Sequence, residues 1–129
     1  MLLAEEHPAV RAVMRELIDA QAGMRVVAEA ADARSALDLA CQTGADVAVV
    51  DMALPGAGRR AVIGELRRLC PASRVVATSM HQDRHFVAMA IRAGASGFLL
   101  KDCAEGGLVG AIQAAAARGR ASHMGPWRR

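Results

Sequence analysis

Five short apolar runs, each followed by a stretch of helical periodicity, constrain the fold of this chain more than any other feature. The runs are MLLA (1–4), RVVAEA (25–30), DVAVV (46–50), RVVAT (74–78) and GFLL (97–100). They are too short and too uniformly apolar for strands with one wet face, so they predict strands buried on both faces. Between them lie apolar stripes at helical spacing. Val10, Val13, Met14, Leu17 and Ile18 form the first, opened by Pro8 and stopped near Gly23. Ala36, Leu37, Leu39 and Ala40 form the second, ended at Gly44, and Val62, Ile63, Leu66 and Leu69 the third, ended before Pro71. Phe86, Val87, Ala90 and Ile91 precede Gly94, and Leu108, Val109, Ile112 and Ala116 close the series. A strand–helix unit repeated five times, with short right-handed crossovers, predicts an α/β fold: a doubly wound, five-stranded parallel sheet.

Ligands of such sheets bind outside the carboxyl ends of the strands. The first strand runs into Glu5 and Glu6, the third into Asp51, the fourth into Thr78 and Ser79, and the fifth into Lys101. Only the second, ending in Glu29, Ala30 and Ala31, brings no obvious cluster. Acids there have a plain structural reading as favourable charges at helix starts. Lys101 does not fit that reading. The chain has 16 basic residues, and this is its single lysine. In so arginine-rich a sequence, one lysine at a strand tip implies a need for a compact ammonium on a flexible stem, for instance as a point charge on a phosphate.

Composition narrows the function further. At 129 residues the chain fits one domain with one core, and with 2% aromatics that core is built from Ala, Val, Leu, Ile and Met. The net charge of +3 suggests nucleic acid until it is located. Arg118, Arg120, Arg128 and Arg129 lie in the last twelve residues, which hold no acid, so residues 1–117 carry −1. Residues 119–129 therefore read as a basic tail or the start of a linker, and the body is no phosphate-binding surface. No apolar run reaches membrane-spanning length, and Glu5 and Glu6 occupy the place of a signal peptide's apolar region. A cytoplasmic location with no membrane partner is expected. Cys41, Cys70 and Cys103 show no Cys-x-x-Cys spacing and suggest neither a disulfide framework nor a zinc site. His81 and His85, four apart, lack a third ligand nearby and read as solvent-facing.

The motifs AEEHPAVR (4–11), VVDMALPG (49–56), RVVATSMH (74–81) and RAGASGFLLKD (92–102) keep their order and spacing across almost the whole chain. On them, residues 1–118 resemble the receiver domain of two-component response regulators, closest to the LuxR/NarL-like subgroup. The resemblance implies a flavodoxin-like fold with strand order 2-1-3-4-5. It implies that Asp51 accepts a phosphoryl group from a sensor histidine kinase, with Mg²⁺ held by Glu5, Glu6, Asp51 and the backbone carbonyl of Ala53. Ser79 and Lys101 would contact the phosphoryl group, and Phe98 would be the switch aromatic. It further implies homodimerisation and control of a DNA-binding output domain in transcription regulation. That output domain is not detectable here, so a fragment of a longer regulator is expected over a stand-alone receiver.

Two departures stand out. The acidic pair is Glu-Glu, where the family has Asp-Asp or Glu-Asp, and each Glu is one methylene longer. Arg59 stands at the family's glycine eight residues after the acceptor, with Gly58 one position earlier. The alternative function is therefore a phosphorylation-independent interaction module. A haloacid-dehalogenase-type phosphohydrolase is set aside, because it needs a second Asp where Ala53 stands.

Overall fold

The computed structural model describes residues 1–56, 59–80 and 84–118, with no side-chain detail at 59–61, 103–105 and 118. The tail 119–129, Gly58 and His81 lie outside the described residues, as do the side chains of the Arg59–Arg60 pair. Five parallel strands, β1 (Leu2–Ala4), β2 (Ala28–Ala30), β3 (Val47–Asp51), β4 (Arg74–Ser79) and β5 (Gly97–Leu100), form one sheet in the order β2-β1-β3-β4-β5. The helices are α1 (Pro8–Asp19), α2 (Ala33–Thr43), α3 (Arg59–Leu69), α4 (Arg84–Ala93) and α5 (Ala104–Arg118). Sequence order and spatial order agree with expectation. No described helix is long and apolar enough to cross a membrane.

Side chains alternate across the sheet and divide the core in two. Leu2, Ala48, Val50, Val75, Ala77 and Phe98 pack on the side of α2, α3 and α4. Leu3, Val47, Val49, Val76 and Leu99 pack with Met14, Ile18, Leu108 and Ile112 of α1 and α5. The central strands are thus buried on both faces. The second strand is not: β2 is a three-residue edge, Ala28 and Glu29 are half-buried, and Val27 is 45% exposed. RVVAEA resembled the central runs in composition, but an edge position with a polar partner on α1 leaves one side wet. Val13 and Leu69 also face outward despite falling in the apolar stripes.

Local signals set the helix ends. Asp32 caps α2 by accepting the Ser35 N–H at 2.8 Å, and Gly44 closes it with φ +62°. That hydrogen bond holds the Asp32 carboxyl below its usual range. The fifth helix does not begin loosely at Glu105-Gly106-Gly107. A 3-10 turn over Lys101–Cys103 leads into α5, and Gly107 lets the helix approach β5, since a Cβ there would lie 2.8 Å from Leu99 Cδ1.

Gly94 ends α4 with φ +109°, and a Cβ would lie 2.7 Å from Arg67 Cγ. Arg67 cannot easily yield, because its Nη1 donates to the carbonyls of Pro71 and Ser73 at 3.1 and 2.7 Å. Gly94→Ala is expected to destabilise the fold by about 2 kcal/mol, from left-handed strain plus overpacking. The urea midpoint checks this, and an unchanged midpoint would refute it.

Candidate phosphoacceptor site

The carboxyl end of the sheet gathers the charged groups. β3 delivers Asp51, and the Asp51 carboxylate turns back on its own chain, with Oδ1 accepting the Ala53 N–H at 2.9 Å. The Leu54 N–H donates to the Asp51 carbonyl at 3.1 Å, and the Met52 N–H donates to the Thr78 carbonyl of β4 at 2.8 Å. These bonds fix the loop 52–56 against the sheet, with Ala53 exposed and Asp51 3% exposed.

β1 delivers Glu5. Its N–H donates to the Ala30 carbonyl at 2.9 Å, so extended pairing continues one residue past the strand. Period-two alternation then sends Glu5 inward and Glu6 outward. Glu5 is fully buried, and its Oε2 accepts the His7 N–H at 3.0 Å, whereas Glu6 is exposed.

Lys101, in the turn after β5, closes the cluster. Its Nζ lies 2.9 Å from Glu5 Oε1, 3.1 Å from Glu5 Oε2 and 3.0 Å from Asp51 Oδ2, with the side chain 5% exposed. Burial works to lower the ammonium's pKa. Hydrogen bonds to Glu5 and Asp51, with their Coulombic attraction, outweigh it and push the value above that of an ordinary lysine. One ammonium faces two carboxylates, so the trio keeps one formal negative charge. Glu5 Oε1 has no hydrogen bond despite its full burial, only the adjacent Lys101 charge.

Oxygen donors with excess negative charge suit a hard cation such as Mg²⁺, which takes few protein ligands and keeps several waters. Glu5 and Asp51 fit that requirement, converging as they do on one positive charge. Glu6 is not drawn in, and among the described residues no three His, Cys, Asp or Glu side chains are grouped to hold a metal.

Ser79 ends β4 at the same end of the sheet, one residue beyond the Asp51–Thr78 pair, and is 3% exposed. Phe98, opposite Ala77 in β5, is equally buried and belongs to the core facing α2, α3 and α4. His85 is exposed on α4. Sequence reasoning missed Arg11. Its Nη1 donates to the Glu5 carbonyl at 2.7 Å and its Nε to Glu29 Oε1 at 3.1 Å, and Glu29 also pairs with Arg15. The acid that ends β2 thus has a structural task, tying the β1 tip and the edge strand to α1. Residues 18 apart gave no local signal of that pairing.

Comparison with known proteins agrees with this geometry. The family model for the response regulator receiver domain matches residues 1–113. The transcriptional regulatory protein YxjL of Bacillus subtilis is 37% identical over 119 residues, 92% of this chain and 54% of that protein. The nitrate/nitrite response regulator NarP of Escherichia coli is 34% identical, over 90% of this chain and 54% of its own length. The chain thus spans about half the length of these curated relatives. A LuxR-family two-component response regulator from Aurantimonas sp. superimposes with a TM-score of 0.86 at 41% identity, covering 92% of this chain and 84% of that one. The signal receiver domain of NarL from Mycobacterium tuberculosis gives 0.85 at 31%, covering 91% and 94%. A carboxylate-lined strand end, a lone lysine beside it and a family match over most of the length agree: the chain belongs to the response regulator receiver domains, of the LuxR/NarL type.

Proposed function

We propose that Asp51 is the phosphoacceptor of this receiver, taking its phosphoryl group from the phosphohistidine of a sensor kinase. The observation that carries the reading is the division of labour on the Asp51 carboxylate. A fixed backbone amide holds Oδ1, while Oδ2 is paired only with a flexible ammonium. When Lys101 Nζ turns to the incoming phosphoryl oxygens, Oδ2 is released as nucleophile. The new O–P bond forms as the P–N bond to the donor histidine breaks, and its electron pair stays on that nitrogen. The product carries about two negative charges, and Lys101 supplies a cation and Ser79 a hydroxyl donor for them. Mg²⁺ would neutralise the carboxylates and the transferring oxygens. Glu5, Asp51 and the Ala53 carbonyl are the groups that would hold it, with Glu6 at the exposed rim facing its retained waters.

A receiver domain is a signalling module, and its reading here is a switch. Ser79 ends β4, and Phe98 lies behind it in β5. Drawing Ser79 toward a phosphorylated Asp51 would open space on that side for Phe98 to turn, reshaping the α4–β5 surface. YxjL and NarP are named as regulators. By that likeness, residues 1–118 would act as the receiver and 119–129 as the path toward a DNA-binding output domain. Homodimers and a cytoplasmic location belong to the same reading. Incubation with acetyl phosphate and Mg²⁺, followed by intact mass and peptide mapping, tests it. One phosphoryl group on the Asp51 peptide is expected, and no adduct at any Mg²⁺ concentration would overturn the reading.

A further inference from the structure

The thiols of Cys41 and Cys70 stand 3.8 Å apart, although 29 residues separate them in sequence. Cys41 lies in the last turns of α2 and is exposed, while Cys70 follows α3 and is partly buried against the core. Neither backbone is loose. The Cys70 N–H donates to the Leu66 carbonyl at 2.8 Å, and its carbonyl accepts the Ser73 N–H at 2.9 Å. Cys41 sits inside a helix that Gly44 terminates. A disulfide needs the sulfurs about 2.0 Å apart, so roughly 1.8 Å must be closed, a distance within reach of side-chain rotation.

We propose that Cys41 and Cys70 form a reversible disulfide, made by exchange with a small-molecule disulfide such as oxidised glutathione, which pins the end of α2 to the end of α3. The Cys41 thiolate attacks one glutathione sulfur, the glutathione S–S bond breaks, and the departing thiolate takes up a proton. The Cys70 thiolate then attacks the Cys41 sulfur of the mixed disulfide and expels the second glutathione thiolate, which is protonated in turn. The two protein thiols lose two electrons and two protons, and one oxidised glutathione becomes two reduced ones.

Exposure sets the order. Cys41 meets the oxidant, while burial and the Cys41 hydrogen bond push the Cys70 thiol above its ordinary value and suit it to the second, intramolecular step. The pair sits at the end of the sheet where β3 and β4 begin, opposite Asp51, and the ring it closes contains β3 and α3. The bond would therefore constrain the chain without touching the Lys101–Glu5–Asp51 trio. In a reducing compartment such a bond is transient and serves as a sensor.

The test uses the full chain, wild type and Cys103→Ser, treated with oxidised glutathione, acid-quenched and alkylated with N-ethylmaleimide. A non-reducing peptide map should show Cys41 joined to Cys70 within one monomer in both proteins, reversed by dithiothreitol. The oxidised form should melt about 5–10 °C higher, as expected for a ring of this size. Cys70→Ser should stop at a glutathione adduct on Cys41. If that variant does not fold, the wild-type map decides alone. Separate adducts on both thiols, a bond to Cys103, bonds only between monomers, or no gain in melting temperature would each overturn the proposal.

Discussion

Replacing Lys101 by methionine is expected to destabilise the fold by about 3–5 kcal/mol at neutral pH, the range seen when one partner of a buried ion pair is removed. Methionine keeps the unbranched stem and its packing but removes the charge that Glu5 and Asp51 share. Two carboxylates, 0% and 3% exposed, would then face each other without a cation. Chemical denaturation measures the loss, and a cost under about 1 kcal/mol would mean that the pair contributes as little as a surface bridge. The pH dependence separates charge from packing. Because the native pKa of Lys101 is raised, its contribution is complete below the ordinary value of 10.5 and is lost as pH climbs through the higher native value. The chain has no tyrosine and no other lysine, so few groups compete in that range. The difference between wild type and variant should stay level from neutral pH to about pH 10 and shrink above it. A difference unchanged at pH 12 would assign the effect to packing.

Those three residues also mark how much was legible without coordinates. Apolar runs and helical stripes dictated the alternation, and in a doubly wound sheet the alternation dictates which residues share an end. Glu5, Asp51 and Lys101 could therefore be placed together although 96 residues separate the first from the last. Ser79 and Phe98 followed from the same rule. Divergence of Glu5 and Glu6 was implicit in strand periodicity, but the pattern alone did not tell which of two identical acids turns inward. The edge strand was misjudged because burial of a strand depends on its neighbours, and RVVAEA differs little from DVAVV in composition. Arg11, Gly107 and the Cys41–Cys70 approach were invisible for a related reason. Each acquires its role from a residue 18 or 29 positions away, or from a helix lying on a strand, and none leaves a periodic trace.

Asp51→Asn is expected to abolish phosphoryl uptake completely while leaving the fold within about 1 kcal/mol of wild type. The reason lies in what asparagine keeps and what it loses. Its carbonyl oxygen can still accept the Ala53 N–H, so the loop 52–56 retains its anchor. Lys101 still has Glu5, and the site passes from one excess negative charge to formal neutrality, which removes a carboxylate–carboxylate repulsion as it removes an attraction. A neutral amide, however, is no nucleophile toward phosphorus and cannot form an acyl phosphate. Intact mass after acetyl phosphate treatment reads the first expectation, and urea denaturation reads the second. Persistence of the adduct in a folded Asp51→Asn protein would move the acceptor elsewhere. Mg²⁺ gives a separate reading on the same pair of proteins. Binding to the native state alone raises the melting temperature with ligand concentration. The wild type should gain stability with millimolar Mg²⁺, whereas the variant, left with Glu5 as its one buried carboxylate ligand, should gain markedly less. Equal gains in both would show that the ion is held away from Asp51, and the charge argument for the acceptor would have to rest on Lys101 alone.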